Sequence, residues 1–306
     1  MLRAKMSKTI EQIKEERPNK TFVAFGGTQQ SYNELSLPFK FIFEKNDLHF
    51  IAENIVFDQY FFSRFKDAGV KFRNVVDLGA HIGSFSAAVS SKNPNTNFYT
   101  IEQNRENFDL LEINCENSME YSGRKNIQLI NGIVKGKRDI SLIKNNDNNT
   151  GGHEIIFGEK GDHNYSGEIY TLKELINKYS LDQIDFLKMD IEGSEYDVLE
   201  QAYEDGAIEK VAILSMEYHV TESKNRHFRT IFKYLTSFDT ITVQRLKPRN
   251  PDRPNDGAFH LLAYTTPSGI GDKSYSFLSF KHKNPRYSEL DKLISKNTAT
   301  VTTILV

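Results

Sequence analysis

The sequence predicts an α/β fold whose core is a mostly parallel seven-stranded sheet with helices on both faces. From residue 72 onward, short apolar runs typical of buried strands alternate with amphipathic segments typical of helices. Strands that alternate with helices usually form parallel sheets, and helices then cover both faces. The predicted strands are residues 74–77, 98–102, 127–131, 186–190, 212–217, 240–246 and 258–264.

The segments between these strands complete the pattern. The last two strands are joined by a loop alone, which favours an antiparallel pair at one edge of the sheet. The polar segment 145–167 is predicted to be a long loop, of a kind that often covers a binding site. The predicted helices are residues 83–92, 105–118, 172–179, 195–202 and 226–235.

The N-terminal part of the chain is predicted to form an α+β cap on this domain, and one wall of a substrate site could come from it. Its aromatic residues either stack on a sugar or fill the core, and the core is the simpler expectation. Its predicted elements are a helix at 7–17, a hairpin of 39–44 and 48–51 around the turn 45–47, and a helix at 54–68 that ends before Gly69. The predicted divisions are 1–71 for the cap, 72–268 for the α/β domain and 269–306 for a C-terminal extension.

Composition excludes several classes of protein. The chain has 306 residues, 38% of them hydrophobic and 26% charged, as in ordinary globular proteins. A net charge of −2 gives no electrostatic attraction for nucleic acid or an anionic membrane. No apolar run approaches the roughly 18 residues of a membrane helix, and residues 1–20 make a poor signal peptide. The single cysteine, Cys115, cannot form an internal disulfide, so we expect a cytoplasmic protein.

The most informative segment, residues 75–86, is typical of a buried strand, a glycine turn and a helix start. Asp77, Gly79 and Gly83 form a D-x-G-x-x-x-G pattern. Glycines allow a ligand to approach the backbone closely, and amides at a helix start favour a negative group. Glu102, 25 positions after Asp77, ends the next predicted strand and could accept hydrogen bonds from a ribose diol. These features together predict a nucleoside cofactor.

The glycine spacing indicates which cofactor. A dinucleotide fold requires G-x-G-x-x-G, but His81 occupies the place of its second glycine and Gly83 comes four positions after Gly79. This pattern suits S-adenosylmethionine, which carries a methionine carboxylate and amine in place of two phosphates. Taken alone, the pattern could equally be a plain turn from strand to helix.

Acidic residues also follow two later strands. One strand ends in Asp190, and Glu192 lies in the turn that follows it. The next strand ends in Glu217, with His219 two residues later. Ligands of open α/β sheets bind at the carboxyl ends of strands, so these side chains should lie beside the glycine turn. Carboxylates this close repel one another and require a cation, a proton or a hydrogen-bond donor. Glu195 is interpreted more simply as a helix cap, and His219 alone could be a bystander.

Together these motifs resemble the FkbM-type methyltransferases. The resemblance covers residues 74–219 and implies a Rossmann-like class I S-adenosylmethionine-dependent fold, usually with O-methylation of a hydroxyl on a sugar or secondary metabolite. His81 and Gln103 depart from the family, which usually has Asn and Pro at these positions. The motifs are Asp77-x-Gly-Ala-x-x-Gly83, Glu102 with Asn104, the helix that contains Asn114, the run from Lys188 to Glu195, and Glu217-x-His219.

The resemblance and the positions imply roles for the cofactor residues. Asp77, Gly79 and Gly83 would line the methionine part, and Glu102 would hold the ribose hydroxyls. Asn131 ends the third strand, where it could approach the adenine or simply cap the strand end. Further contacts would come from the backbone of Ala80 and His81.

An alcohol is a poor nucleophile, so O-methylation also needs a base or a Lewis acid. Asp190 is the first choice for the group that binds or deprotonates the hydroxyl, with Glu192, Glu217 and His219 as helpers. Carboxylates at adjacent strand ends could also hold Mg²⁺, but the ligand set is too weak to predict a metal.

Two alternatives remain open. A nicotinamide-dependent oxidoreductase is disfavoured by the missing G-x-G-x-x-G, and a non-catalytic S-adenosylmethionine-binding protein is disfavoured by the intact acidic motifs. Cytosine methylation needs a cysteine nucleophile, whereas Cys115 lies inside a predicted helix. No Asn-Pro-Pro-Tyr turn follows the fourth strand. The predicted partner is therefore a small hydroxylated molecule, neither nucleic acid nor membrane, and no oligomeric state is predicted.

Overall fold

A computed structural model describes residues 8–26, 37–55, 58–136, 140–144, 154–157, 167–220, 230–245, 257–265 and 299–305. Its strands are β1 (Phe22–Phe25), β2 (Phe41–Glu44), β3 (Asn74–Leu78), β4 (Asn97–Glu102), β5 (Ile127–Val134), β6 (Ile140–Lys144), β7 (Glu154–Phe157), β8 (Glu168–Tyr170), β9 (Phe186–Met189), β10 (Ile213–Val220), β11 (Thr240–Arg245), β12 (Gly257–Tyr264) and β13 (Ala299–Leu305). Its α-helices are α1 (Ile10–Glu16), α2 (Leu48–Ile55), α3 (Phe62–Asp67), α4 (Ser84–Ser91), α5 (Arg105–Ser122), α6 (Leu172–Lys178), α7 (Glu195–Glu204) and α8 (Ile231–Tyr234).

A central sheet organises the fold in the order β13-β11-β12-β10-β9-β3-β4-β5-β8. Within this order, successive strands of the run β10-β9-β3-β4-β5-β8 all pair in parallel. β12 is antiparallel to both β10 and β11, and β13 is antiparallel to β11. Seven of the nine strands therefore run in one direction. The mostly parallel α/β sheet is confirmed, with β8 and β13 as edge strands beyond the seven that the sequence predicts.

Two hydrophobic cores lie on opposite faces of this sheet. Neighbouring residues of β3 alternate between them, with Val75 in one core and Val76 in the other, as the twofold period of a strand requires. The first core contains side chains of α2 to α5, and the second contains side chains of α6 to α8. Helices on both faces are therefore confirmed.

The chain reverses its direction of travel across the sheet at β3. β4 and β5 follow β3 on one side, whereas β9 and β10 lie on the other. Open α/β sheets bind ligands outside the carboxyl ends of the strands at such a point, because the connecting loops separate there. Most of the predicted site residues lie at or just beyond the carboxyl ends of β3, β4 and β9, or in the second half of β10.

The N-terminal segment differs from its prediction in two places. The predicted hairpin is wrong, because β2 pairs with the upstream β1 and Leu48 begins α2. The single helix predicted at 54–68 is also wrong, because α2 ends at Ile55 and α3 begins at Phe62. Asp58 and Phe61 have left-handed backbone conformations (φ 48° and 61°), which form a turn before α3.

One buried amide joins this N-terminal segment to the main domain. Asn114, on α5, is fully buried. Its Oδ1 accepts from Ile42 N at 2.7 Å, and its Nδ2 donates to Ile42 O at 2.8 Å and Ile82 O at 2.9 Å. The same side chain therefore fixes β2 and the loop that precedes α4. Without it, three buried backbone groups would lose their partners.

Some predicted segments are described in part. The strand β7 lies within the predicted loop 145–167 and pairs with β6, while the remainder of that loop up to residue 166 lies outside the described residues. Residues 226–229 of a predicted helix also lie outside them, as do residues 269–298 of the predicted extension, whose final residues form β13. None of the described helices combines the length and the apolar character needed to cross a membrane.

Candidate active site

The glycine turn after β3 is held by close backbone packing. Gly79 and Ala80 both donate their N–H groups to Ile101 O, at 3.1 and 2.9 Å. Gly79 has φ 75°, and a Cβ there would lie 1.7 Å from the carbonyl oxygen of Asp190. A Cβ at Gly83 (φ 86°) would lie 2.7 Å from Leu111 Cδ1. Both glycines are thus required by contacts within the protein, a reason that the sequence pattern alone does not reveal.

Asp77 is a buried anion that fixes this turn. Its Oδ1 lies 3.0 Å from Lys188 Nζ, and its Oδ2 accepts from Ser86 Oγ at 2.6 Å. Lys188 Nζ also donates to Gly79 O at 2.6 Å. Burial lowers the pKa of Lys188, but the carboxylates of Asp77 and Asp190 outweigh that effect and raise the pKa above its ordinary value. The ammonium group therefore remains charged and ties β9 to the turn after β3.

Glu102 ends β4 and is buried beside the same turn. Its Oε2 accepts from His81 N at 2.8 Å and its Oε1 from Asn104 N at 2.7 Å. Burial raises the pKa of Glu102 to about 7, although these two amides partly oppose the rise. Each carboxylate oxygen has two lone pairs, so a donor from a ligand could still bind. Asn131 lies inside β5, so the strand end predicted there is wrong. Its Nδ2 donates to Glu102 O at 2.9 Å and so caps the end of the neighbouring β4.

A second group of site residues surrounds one imidazole. We call Asp190, Glu192, Glu195, Glu217 and His219 the His219 cluster. His219 Nδ1 lies 2.9 Å from Glu195 Oε1. Its Nε2 faces three carboxylates, at 3.3 Å from Glu217 Oε1, 3.5 Å from Glu192 Oε2 and 4.0 Å from Asp190 Oδ1. The four residues predicted to act in catalysis are therefore brought together by the fold.

Glu195 has two roles within this cluster. Its Oε1 accepts backbone N–H groups from Gly193 at 3.0 Å and Ile191 at 3.3 Å, as expected for a cap of the turn before α7. The same oxygen holds the Nδ1 side of His219. Glu192 has a left-handed backbone conformation (φ 50°), which places this turn beneath the imidazole. The sequence predicted a cap of the helix, whereas Glu195 holds the turn before α7, and the contact with His219 was not predicted.

The charge of the cluster acts on His219. Burial lowers the pKa of the imidazole, but the neighbouring carboxylates, above all Glu195 and Glu192, outweigh it and raise the pKa well above its ordinary value. A second imidazole nearby behaves differently. Burial lowers the pKa of His260, the cross-strand neighbour of Glu217, to about 3, so its ring is neutral.

The N-terminal segment contributes two hydrogen bonds that sequence reasoning missed. Tyr60 donates its hydroxyl to Asp190 Oδ2 at 2.7 Å, and Gln59 donates Nε2 to Glu217 Oε2 at 2.9 Å. No periodic pattern or spacing distinguishes these two residues. The only sequence signal was the general expectation that the cap could supply one wall of a substrate site.

The predicted residues thus lie in two neighbouring groups at the carboxyl edge of the sheet. The turn group contains Asp77, Gly79, Ala80, His81, Gly83, Glu102 and Asn131, and the His219 cluster forms the other. Asp190 connects them, because its carbonyl packs against Gly79 while its carboxylate faces His219. Three potential metal-ligand atoms also lie within 4.8 Å of one another, which is close enough for them to share a metal ion. They belong to Asp190, Glu192 and His219.

Comparison with known proteins identifies the family. The model of the methyltransferase FkbM domain matches residues 77–241, more than half of the chain. The chain belongs to the FkbM methyltransferase family. The matched region begins at Asp77 of the glycine turn and includes the whole His219 cluster. The resemblance stated from the motifs is thereby confirmed, together with the Rossmann-like class I methyltransferase fold.

Solved structures with a similar arrangement are distant in sequence. An FkbM methyltransferase from Methylobacillus flagellatus is 19% identical with a TM-score of 0.39, and the alignment covers 62% of this chain and 43% of that one. This chain thus spans less than half the length of that protein. A precorrin-6y C5,15-methyltransferase from Geobacter metallireducens is 10% identical with a TM-score of 0.36, covering 67% of this chain and 86% of that one. Among curated proteins no significant sequence match was found.

Proposed function

We propose that this FkbM family member is an S-adenosylmethionine-dependent methyltransferase that methylates a hydroxyl of a small molecule such as a sugar. The observation that carries the proposal is the position of the His219 cluster. The carboxylates of Asp190, directly after β9, and Glu217, in the second half of β10, both face His219. The Asp190 carbonyl packs against Gly79 of the turn after β3, and Glu102, the last residue of β4, accepts from His81 N of the same turn. An acceptor hydroxyl held by the cluster would therefore face a cofactor held by the turn.

The residues of the turn group suit this cofactor. The ribose diol of S-adenosylmethionine donates hydrogen bonds, and Glu102 is a carboxylate already oriented by two backbone amides. The methionine carboxylate requires donors. Helix α4 begins after Gly83 without a hydrogen-bonded side-chain cap, so its first N–H groups suit an anionic group.

The chemistry that S-adenosylmethionine supplies is an electrophilic methyl group on a sulfonium. The protein must align the acceptor oxygen with that methyl group, exclude water and take the proton of the hydroxyl. Asp190 is placed for the last task, because its carboxylate is the most exposed of the cluster at 27% and can reach a bound ligand. Tyr60 holds its Oδ2, which leaves Oδ1 directed toward His219.

The other members of the cluster position this base. Glu217 is held by Gln59, and Glu192 by the turn that Glu195 caps. Both carboxylates lie within 3.5 Å of His219 Nε2, so the imidazole holds them apart and limits their mutual repulsion. A hydroxylated acceptor would find several hydrogen-bond acceptors around the reacting oxygen.

Two variants separate cofactor binding from chemistry. Asp190→Ala should abolish methyl transfer, measured as S-adenosylhomocysteine released with a panel of sugars and polyols, and leave S-adenosylmethionine affinity nearly intact. Glu102→Ala should mainly weaken cofactor affinity. Asp182→Ala, at an exposed position, is the matched control and should change neither. Turnover by Asp190→Ala equal to that of the native chain would remove Asp190 from the mechanism.

Calorimetric titration with S-adenosylmethionine, S-adenosylhomocysteine and NAD tests the cofactor first. Micromolar binding of the first two, without NAD, supports the proposal. Binding of NAD alone would overturn it in favour of an oxidoreductase. Binding of S-adenosylmethionine without transfer to any acceptor would indicate a non-catalytic binding protein.

A further inference from the structure

We infer that the His219 cluster is a binding site for one divalent transition-metal ion, with Asp190, Glu192 and His219 Nε2 as its ligands. The inference depends on the positions of these atoms and stands apart from the identity of the methyl acceptor. The sequence allowed Mg²⁺ at adjacent strand ends but predicted no metal, and the folded chain adds the 3.5 Å approach of Glu192 Oε2 to His219 Nε2.

The spacing of the ligand atoms fits a shared ion. Metal–ligand distances of about 2.1 Å put neighbouring ligands roughly 3.0 to 3.4 Å apart and opposite ligands about 4.2 Å apart. Nε2 lies 3.3, 3.5 and 4.0 Å from the oxygens of Glu217, Glu192 and Asp190. The ligand atoms of Asp190, Glu192 and His219 all lie within 4.8 Å of one another, so small side-chain rotations would bring these three atoms to one centre.

The imidazole is oriented as metal-binding histidines usually are. A ligating histidine commonly donates its second ring N–H to a carboxylate, which fixes the tautomer and directs the other nitrogen at the metal. Here Glu195 lies 2.9 Å from Nδ1, and two backbone N–H groups hold Glu195 in turn. Nε2 is thereby directed at the three remaining carboxylates.

The charge of the cluster also requires a cation. Four carboxylates surround one imidazole, so the net charge is strongly negative whatever the protonation state of His219. The carboxylate side chains are only 1 to 27% exposed, so water solvates their charges poorly. Glu195 Oε2 is buried and accepts no hydrogen bond from the part of the chain that the structure describes. The ammonium group of Lys188, 3.0 Å from Asp77 Oδ1, also attracts Asp190 and offsets only part of the negative charge of the cluster.

The donor set selects the kind of ion. One imidazole nitrogen with carboxylate oxygens suits Mn²⁺, Fe²⁺ or Zn²⁺ better than Ca²⁺, which prefers oxygen ligands alone. Such an ion could also act as a Lewis acid that lowers the pKa of a bound hydroxyl, and this last role rests on the proposed function.

Manganese binding tests the inference directly. Protein freed of metal by chelation is titrated with MnCl₂ without cofactor or acceptor, and free Mn²⁺ is followed by electron paramagnetic resonance. We expect one ion per chain and, in pulsed spectra, coupling of the bound ion to one imidazole nitrogen. No stoichiometric binding of Mn²⁺ or Zn²⁺, or a bound ion without nitrogen coupling, would overturn the inference.

Variants assign the ligands. Glu192→Gln and His219→Ala should each weaken Mn²⁺ binding by at least tenfold, and Glu195→Gln by about 10- to 100-fold through the lost orientation of the ring. Glu209→Gln, an exposed change of the same chemistry, should leave binding unchanged. Thermal unfolding without metal checks that each variant folds, and Asp190→Asn replaces any that does not. Unaltered binding in the ligand variants would overturn the inference, while cofactor titration reports separately on the proposed function.

Discussion

The buried ion pair between Lys188 and Asp77 gives the sharpest test of the fold around the site. Lys188→Met keeps the length and apolar stem of the side chain and removes its charge. Asp77 is fully buried, and the lost ammonium group lay 3.0 Å from its Oδ1. Removing one partner of a buried ion pair leaves an uncompensated charge, which costs about 3 to 5 kcal/mol. Urea denaturation followed by circular dichroism measures this loss in the free energy of unfolding.

An exposed ion pair provides the matched control. Lys178 pairs with Glu168 while their side chains are 39% and 54% exposed. Water screens such a pair, so Lys178→Met should change the free energy of unfolding by no more than about 1 kcal/mol. Equal losses for the two lysine variants would refute the argument that burial makes the Asp77 pair important.

A double variant tests the pairing itself. Asp77→Asn removes the charge that Lys188→Met leaves unpaired, so the double variant should lose less than the sum of the two single losses. Residues in direct contact usually show such coupling at about 0.5 to 3 kcal/mol. Additive losses would mean that Lys188 stabilises the fold through its bond to Gly79 O and not through Asp77.

Three further predictions concern the turn group and its supports. Burial raises the pKa of Glu102 to about 7, and ribose hydroxyls need its ionised form as their acceptor. The affinity for S-adenosylmethionine, measured by calorimetry, should therefore fall up to about tenfold for each pH unit below 7. Glu102→Gln should abolish this pH dependence. Gly79→Ala should lower the free energy of unfolding, measured by urea denaturation, by about 2 to 5 kcal/mol, because its Cβ would lie 1.7 Å from Asp190 O. The control Gly206→Ala has φ 77° but no atom within 4 Å of the new Cβ, so it should lower the same quantity by only about 1 to 2 kcal/mol. Asn114→Leu should cost at least about 2 kcal/mol, since three buried backbone groups lose their partners, and limited proteolysis should then cut the N-terminal segment first; an unchanged cleavage pattern would contradict that role.

The strands of the sheet could be predicted because buried parallel strands are continuous apolar runs bounded by turns. The same reasoning failed at Leu48–Ile51, since so short a run, with three apolar residues in four, suits a buried helix as well as a strand. It failed again at 54–68, where left-handed residues Asp58 and Phe61 interrupt a pattern of aromatic residues. Neither conformation is marked by glycine, so the sequence shows no break there.

Parts of the site could be predicted because parallel strands bring their carboxyl ends to one edge. Asp190, Glu217 and His219 meet there for that reason. Lys188 was not singled out, because a lysine inside an apolar strand has no visible partner until Asp77 is placed beside it. Tyr60 was not predicted either, because it contacts a residue 130 positions away and belongs to no motif.

The hydrogen bonds from Gln59 and Tyr60 limit how the family domain can be transplanted. The matched region begins at residue 77, yet two of its acidic groups receive donors from residues 59 and 60. A protein engineer who moved residues 77–241 alone into another scaffold would carry the carboxylates without these donors. The unit to exchange between family members is therefore the site together with the turn before α3, and chimaeras joined upstream of Asp58 should retain the geometry that chimaeras joined at Asp77 would lose.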